Sequence, residues 1–126
     1  MLIDSHCHLD FADFQIDFPA VLQRMQDNQV TKAMTISVDL ATWPAVIALA
    51  EQHSCLYATV GVHPDYPDVQ EPLVEDLVHR AQHEKVLAIG ETGLDYYRLT
   101  GDLEWQRQRF RRHIQAARTI DKPLVV

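Results

Sequence analysis

The sequence predicts an α/β fold in which a parallel sheet is covered by helices. Three observations predict it. Short β-rich runs alternate strictly with stretches of helical apolar spacing. The strand runs are continuously apolar instead of alternating polar and apolar. Glycine and proline together number only ten, and no linker, repeat or low-complexity stretch divides the chain. Continuous apolar strands belong to sheets covered on both faces, and strand–helix alternation belongs to parallel ones.

Taken in order, Leu2 to Ser5 reads as the first strand. Phe18, Val21, Leu22 and Met25 then recur at helical spacing, with Pro19 suited to a first turn. Ala33 to Val38 is the second strand, and Thr42 is placed to cap a helix whose apolar stripe is Trp43, Val46, Ile47 and Ala50. Leu56 to Val62 gives the third strand, and Leu73, Leu77, Val78 and Ala81 the third helix. Val86 to Gly90 is the fourth strand. The last helix runs from Leu103 to Ile120 and is expected to bury Leu103, Phe110, Ile114 and Ala117. Pro123 to Val126 begins a fifth strand. Five strands and four helices fit either a small doubly wound sheet or the first five-eighths of a (β/α)8 barrel. In both, Leu124 to Val126 forms an apolar edge able to pair with another chain.

At 126 residues the chain is one domain with one core, and 47% hydrophobic with 23% charged residues excludes a disordered tail. No apolar run approaches the ~20 residues of a membrane span. The opening residues lack the basic and apolar regions of a secretory signal and any twin-arginine motif, so the expected location is the cytoplasm, away from membranes. A net charge of −7 argues against affinity for nucleic acid through phosphate neutralisation by the protein alone. Bound metal cations reverse such a field locally, so a nucleic-acid enzyme is not excluded. Cys7 and Cys55 are too few for a disulfide framework or a four-cysteine zinc site and read as free thiols.

Seven histidines are many for this length, and their positions carry the chemistry. In Asp4-Ser5-His6-Cys7-His8-Leu9-Asp10, at the end of the first strand, residues two apart share a face. His6 and His8 therefore point together, with Asp4 and Asp10 in phase if the strand continues, while Cys7 points away. Two imidazoles so placed can share one divalent ion. Gly61-Val62-His63-Pro64 ends the third strand with another histidine, and Ile89-Gly90-Glu91-Thr92-Gly93-Leu94-Asp95 ends the fourth with a carboxylate. A carboxylate closing an apolar strand needs a cation or hydrogen-bond donors. His6, His8 and Glu91 are thus candidate metal ligands, and His63 and Glu91 candidate catalytic residues. Zn, Mn, Co or Ni suits histidine-rich ligation, whereas Mg prefers more oxygen.

These three motifs, together with Ala88-Ile89-Gly90-Glu91-Thr92-Gly93-Leu94-Asp95-Tyr96-Tyr97, resemble the TatD-family metal-dependent hydrolases, deoxyribonucleases, across essentially the whole chain. The resemblance implies an amidohydrolase-like TIM barrel truncated after about five of its eight strands, residues 1–126 being the N-terminal part of a single barrel domain. It implies a centre of one or two divalent metal ions, the His6–His8 pair on one ion and Glu91 bridging two. The remaining ligands, two histidines and an aspartate, would come from later strands, beyond Val126. The implied reaction is metal-assisted hydrolysis of phosphodiester bonds in DNA, with the isolated 126-residue chain expected to be inactive. Two rival readings are an amidohydrolase-like enzyme acting on another ester or amide, and a non-catalytic half-barrel that binds metal or partner chains, self-associating through its edge strand.

Around this centre, His63 either orients a phosphate or water or is satisfied locally beside Pro64. Asp95 either braces a ligand histidine or forms a turn. Tyr96, Tyr97 and Arg98 are candidate substrate contacts, a base stacked on the aromatics and a phosphate on the arginine, or else a packed loop. Arg107, Arg109, Arg111 and Arg112 read as a solvated helix face, and His53, His79, His83 and His113 as surface residues.

Overall fold

The computed structural model describes residues 1–126. The elements are β1 (Leu2–Cys7), α1 (Ala12–Gln15), α2 (Phe18–Asp27), β2 (Val30–Thr35), α3 (Trp43–Gln52), β3 (Leu56–Val60), α4 (Val74–Ala81), β4 (Val86–Ile89) and α5 (Glu104–Ile120). The four strands pair in parallel in the order β1-β2-β3-β4. Leu124 adds a parallel bridge to Ile89, secured by Ile89 N donating to Pro123 O at 2.9 Å and Val125 N to Ile89 O at 2.8 Å. The final segment thus takes the fifth place in an unbroken sequential order.

That order decides between the two architectures. Doubly wound sheets reverse direction at a switch point and carry helices on both faces, whereas a barrel adds each strand beside the last with helices outside only. Here Ala33, Leu56, Ala58, Val60 and Val86 are buried in one core with the helix residues Trp43, Val46, Ile47, Ala50, Leu77, Ala81, Ala116 and Ala117. The opposite face, with Ile3, Lys32, Met34, Tyr57 and Leu87, lines an open hollow of about 400 Å³. The fold is that of part of an α/β barrel, truncated after four strands and a bridging fifth segment. No helix is long and apolar enough to cross a membrane.

Local chemistry accounts for most boundaries. Pro19 and Pro44 sit in the first turns of α2 and α3, where a missing N–H costs nothing. Thr42 precedes α3 as expected but makes no side-chain cap; the Asp39 carboxylate accepts the Thr42 amide at 2.9 Å instead. β2 begins and ends earlier than the expected Ala33 to Val38. Val30 and Lys32 find ladder partners in Leu2 and Ile3, while residues 36–38 leave the ladder to build the rim. The short helix α1 carries no buried residue and so no apolar signal.

The largest departure is α5. Its inward face is Gln106, Arg109, His113, Ala116 and Ala117; Phe110 is only half-buried and Ile114 is 36% exposed. The expected burial of Ile114 and the surface placement of Arg109 and His113 are therefore corrected. These polar side chains turn inward because backbone groups of the rim loops satisfy them there.

Candidate metal centre

β1 sets the first half of the site. The His6 and His8 rings face the same side, 5.5 Å apart between centroids. Cys7 points away as its parity requires, and its Sγ donates to Met34 O at 3.3 Å. Burial first, and then the Asp4 charge, push its thiol up to about 12, so it stays an unreactive packing group. His8 Nδ1 lies 3.0 Å from Ile36 O. A carbonyl can only accept, so Nδ1 carries the proton and the Nε2 lone pair is left for a ligand. The strand does not continue to Asp10, whose carboxylate accepts from Thr35 Oγ1 at 3.3 Å, and Asp4 accepts the His6 amide at 3.0 Å. Neither aspartate joins the histidine pair.

Glu91 is delivered by the end of β4. The backbones there approach so closely that a Cβ on Gly61 would stand 2.3 Å from the Gly90 carbonyl carbon. At Gly90, φ is 142° and a Cβ would meet Val125 O at 2.5 Å. Only glycine fits at either position. Ser37 links these turns: its Oγ accepts the Gly61 amide at 2.9 Å and donates to Gly90 O at 3.3 Å.

The carboxylate meets three imidazoles. Glu91 Oε2 lies 3.3 Å from His6 Nε2 and 3.9 Å from His8 Nε2, and Oε1 lies 3.5 Å from His63 Nε2. Glu91 Oε2 is buried and has no hydrogen-bond partner. The ligand atoms of His6, His8 and Glu91 all lie within 4.8 Å of one another. An orphaned carboxylate oxygen facing two imidazole nitrogens is a donor set of the kind that holds a cation, so the residues fit a divalent ion.

His63 plays a different part. Its Nδ1 accepts the Asp65 amide at 3.0 Å, so the neutral ring carries its proton on Nε2, toward Glu91. In that tautomer the His63 Nε2–H is a donor facing the Glu91 carboxylate, beside the His6 and His8 rings.

Of the two readings of Asp95, the structure supports the turn. Its Oδ1 accepts the amides of Arg98 at 3.1 Å and Tyr97 at 3.0 Å, and these bonds, Arg98 first, hold its carboxyl below the usual range. A shallow cleft of about 320 Å³ brings His63 and Glu91 together with Tyr97 and Arg98. Tyr97 is 94% exposed, Arg98 lies 3.7 Å from the Asp65 carboxylate, and the Tyr96 hydroxyl accepts from Arg107 at 3.3 Å. Tyr96 is thus partly engaged by α5.

Arg107 and Arg111 pair with Glu104 at 3.2 and 2.7 Å on a solvated face, as expected. Arg109 does not belong to that face. It is fully buried and bonds the Glu71 carboxylate. His79 is exposed and His83 pairs with Glu51 at 2.9 Å, while half-buried His53 packs on Phe18. Ser37, Glu71, Gln106, Arg109 and His113 were not singled out as site-building residues from the sequence. The one available signal was polar residues at 106, 109 and 113, a helical period along one face of α5.

The family model described as TatD related DNase matches residues 3–126. The chain belongs to that family. YcfH of Escherichia coli is 35% identical over 99% of this chain and 48% of its own length. YabD of Bacillus subtilis is 31% identical over 100% of this chain and 50% of its own. Both are named uncharacterized metal-dependent hydrolases. Among solved structures, YjjV of Escherichia coli, a TatD homolog, superposes with a TM-score of 0.82 at 32% identity, covering 98% of this chain and 49% of that one. A TatD family hydrolase from Entamoeba histolytica superposes at 0.77 with 24% identity, over 95% of this chain and 46% of that one, which supports the fold alone. The chain spans about half the length of the curated relatives it matches.

Proposed function

We propose that this chain carries the His6–His8–Glu91 part of a TatD-type metal centre that hydrolyses phosphodiester bonds, with DNA as the substrate class. The observation that carries the reading is Glu91 Oε2, buried without a partner and turned toward two histidine nitrogens. Imidazole and carboxylate ligands favour Zn, Mn, Co or Ni over Mg. One or two such ions, when bound, would supply Lewis-acid stabilisation of phosphoryl charge and acidify a water molecule.

The chain's own residues then have distinct tasks. His6, His8 and Glu91 hold the cation. His63 Nε2–H donates to a phosphate oxygen or fixes a water, and the Arg98 guanidinium adds positive charge at the cleft. Tyr97 offers an uncovered ring for a base. Two unpaired cysteines, Cys7 and Cys55, support a reducing compartment, the cytoplasm.

The test compares hydrolysis of a DNA oligonucleotide, bis(p-nitrophenyl) phosphate and p-nitrophenyl acetate by the full chain as its gene encodes it. Metal-free, Zn-loaded and Mn-loaded forms are each assayed, with Glu91→Gln and His6→Ala beside them. Phosphodiester cleavage that requires metal and falls at least about a hundredfold in both variants is the expected result. Cleavage surviving both substitutions, or turnover of the carboxylic ester alone, would overturn the proposal.

A further inference from the structure

We propose that Gln106, Arg109 and His113, on the inward face of α5, are positioning residues that fix the rim segment carrying His63. The inference rests on the reading of His63 as a donor at the site.

All three bond the backbone of that segment or of its neighbour. His113 Nε2 accepts the Val62 amide at 3.0 Å, and its Nδ1 lies 2.8 Å from Arg109 O. Arg109 donates to His63 O at 2.7 Å and to Tyr66 O at 2.9 Å. Gln106 Nε2 donates to Pro64 O at 3.1 Å and to Asp95 O at 3.2 Å, while its Oε1 accepts the Asp95 amide at 3.1 Å. Residues 62–66 and Asp95 are therefore gripped from one helix face. Arg109 holds the peptide that follows His63, the His63 amide itself donates to Val38 O at 2.8 Å, and the next turn places the Asp65 amide on His63 Nδ1.

Packing alone does not call for these residue types. Burying an arginine, a glutamine and a histidine is costly unless each is satisfied, and apolar side chains of similar volume stabilise a core as well or better. All three are 0% exposed, and each makes the polar contacts described. Arg109 is completed by the Glu71 carboxylate, from Nε at 3.1 Å and Nη2 at 2.5 Å, and by the Trp105 ring 4.8 Å from its Cζ. What such a network supplies beyond an apolar core is one defined backbone path. That path aims the His63 ring at Glu91. None of the three touches His6 or His8, which β1 presents independently.

The experiment uses the full chain as encoded, with His113→Leu, His113→Gln, Gln106→Met and His63→Ala. In the metal-free protein at about pH 8, where an ordinary imidazole is neutral, ring ¹⁵N spectra report the His63 tautomer. Zn²⁺ titration calorimetry and steady-state hydrolysis of bis(p-nitrophenyl) phosphate complete the set. His113→Leu and Gln106→Met are each expected to turn the single His63 tautomer into a mixture. Each should lower kcat at least about tenfold, with KM and Zn²⁺ affinity within about twofold of wild type. His113→Gln, which can still accept from Val62 and donate to Arg109 O, should restore both the tautomer and the rate.

An unchanged tautomer in His113→Leu and Gln106→Met overturns the proposal. So does Zn²⁺ affinity falling in step with kcat, or His113→Gln behaving like His113→Leu. If His113→Leu does not fold, Gln106→Met and the glutamine rescue decide. If His63→Ala keeps full turnover, the role given to His63 in catalysis fails. The tautomer spectra still judge the positioning by α5 separately.

Discussion

The Ser37 hydroxyl donates to the Gly90 carbonyl oxygen at 3.3 Å and so fastens the end of β2 to the residue before Glu91. The Ser37 Oγ also accepts the Gly61 amide, and the Ser37 carbonyl accepts the Glu91 amide at 3.2 Å. One small buried side chain therefore joins three strand ends. Ser37→Ala leaves the Gly61 amide without its acceptor and should cost about 1–3 kcal/mol. Urea denaturation measures this, and a loss near zero would show that the bonds are replaced.

Metal binding should separate from intrinsic stability at Glu91. With Zn²⁺ at a hundred times its dissociation constant, the wild type should gain about 2.7 kcal/mol by linkage. Glu91→Gln removes a buried carboxylate whose Oε2 has no partner, so the metal-free variant should be at least as stable as wild type. It should gain little from Zn²⁺. Thermal melts with and without the ion test both halves.

His113 predicts an acid-sensitive fold. Burial is the first cause of its pKa falling from 6.5 to about 4, opposed by the hydrogen bond to the Arg109 carbonyl and by the Glu71 charge and aided by the Arg109 and Arg112 charges. The unfolded chain thus binds the extra proton more readily. This contribution is complete above about 6.5 and is lost as pH falls toward 4, on the order of 3 kcal/mol in all. Urea midpoints across that window should fall more steeply for wild type than for His113→Gln. Parallel curves would remove His113 from the account.

Tyr97 and Arg98 should matter for substrate and not for the fold. Tyr97 is almost wholly uncovered, so Tyr97→Ala should leave the urea midpoint unchanged. If the ring stacks a base, KM for an oligonucleotide should rise roughly tenfold, in line with about 1–3 kcal/mol per stacked base. KM for bis(p-nitrophenyl) phosphate, which has no base, should rise with Arg98→Ala instead.

Residues 1–126 made alone should turn over little and should self-associate. Leu2 and Ile3 are 60% and 62% exposed, and the open sheet face carries further apolar side chains. Light scattering across concentration tests the association, a constant monomer mass arguing against it.

Why some of this was legible in the sequence and some was not follows from where each residue gets its partners. Val46, Ile47 and Ala50 on α3 and Leu77 and Ala81 on α4 announce their burial by apolar spacing, and the structure buries all of them. His6, His8, His63 and Glu91 stood out because polar side chains at the ends of apolar strands have few other reasons to be there. Gln106, Arg109 and His113 were hidden because their partners are peptide groups of distant loops, which leave no mark in residue type. Helical spacing alone therefore assigned Phe110 and Ile114 to a face the polar residues occupy. The early start of β2 was hidden in the same way, since Val30 to Lys32 is held by pairing with β1 and not by an apolar run.

The split of the proposed ligand set between the first strand and the fourth has a consequence for synthesis. A nascent chain offers His6 and His8 first, and three further strands must be translated before Glu91 emerges. At about 5–20 residues per second that interval lasts several seconds. Throughout it a passing ion meets the two imidazoles with only Asp4 and Asp10 nearby in the chain, and not the buried Glu91 carboxylate. On the proposed reading, firm capture is postponed until β4 docks on β3 and brings Glu91 beside His6 and His8, so the order of translation sets when the ion can first be held.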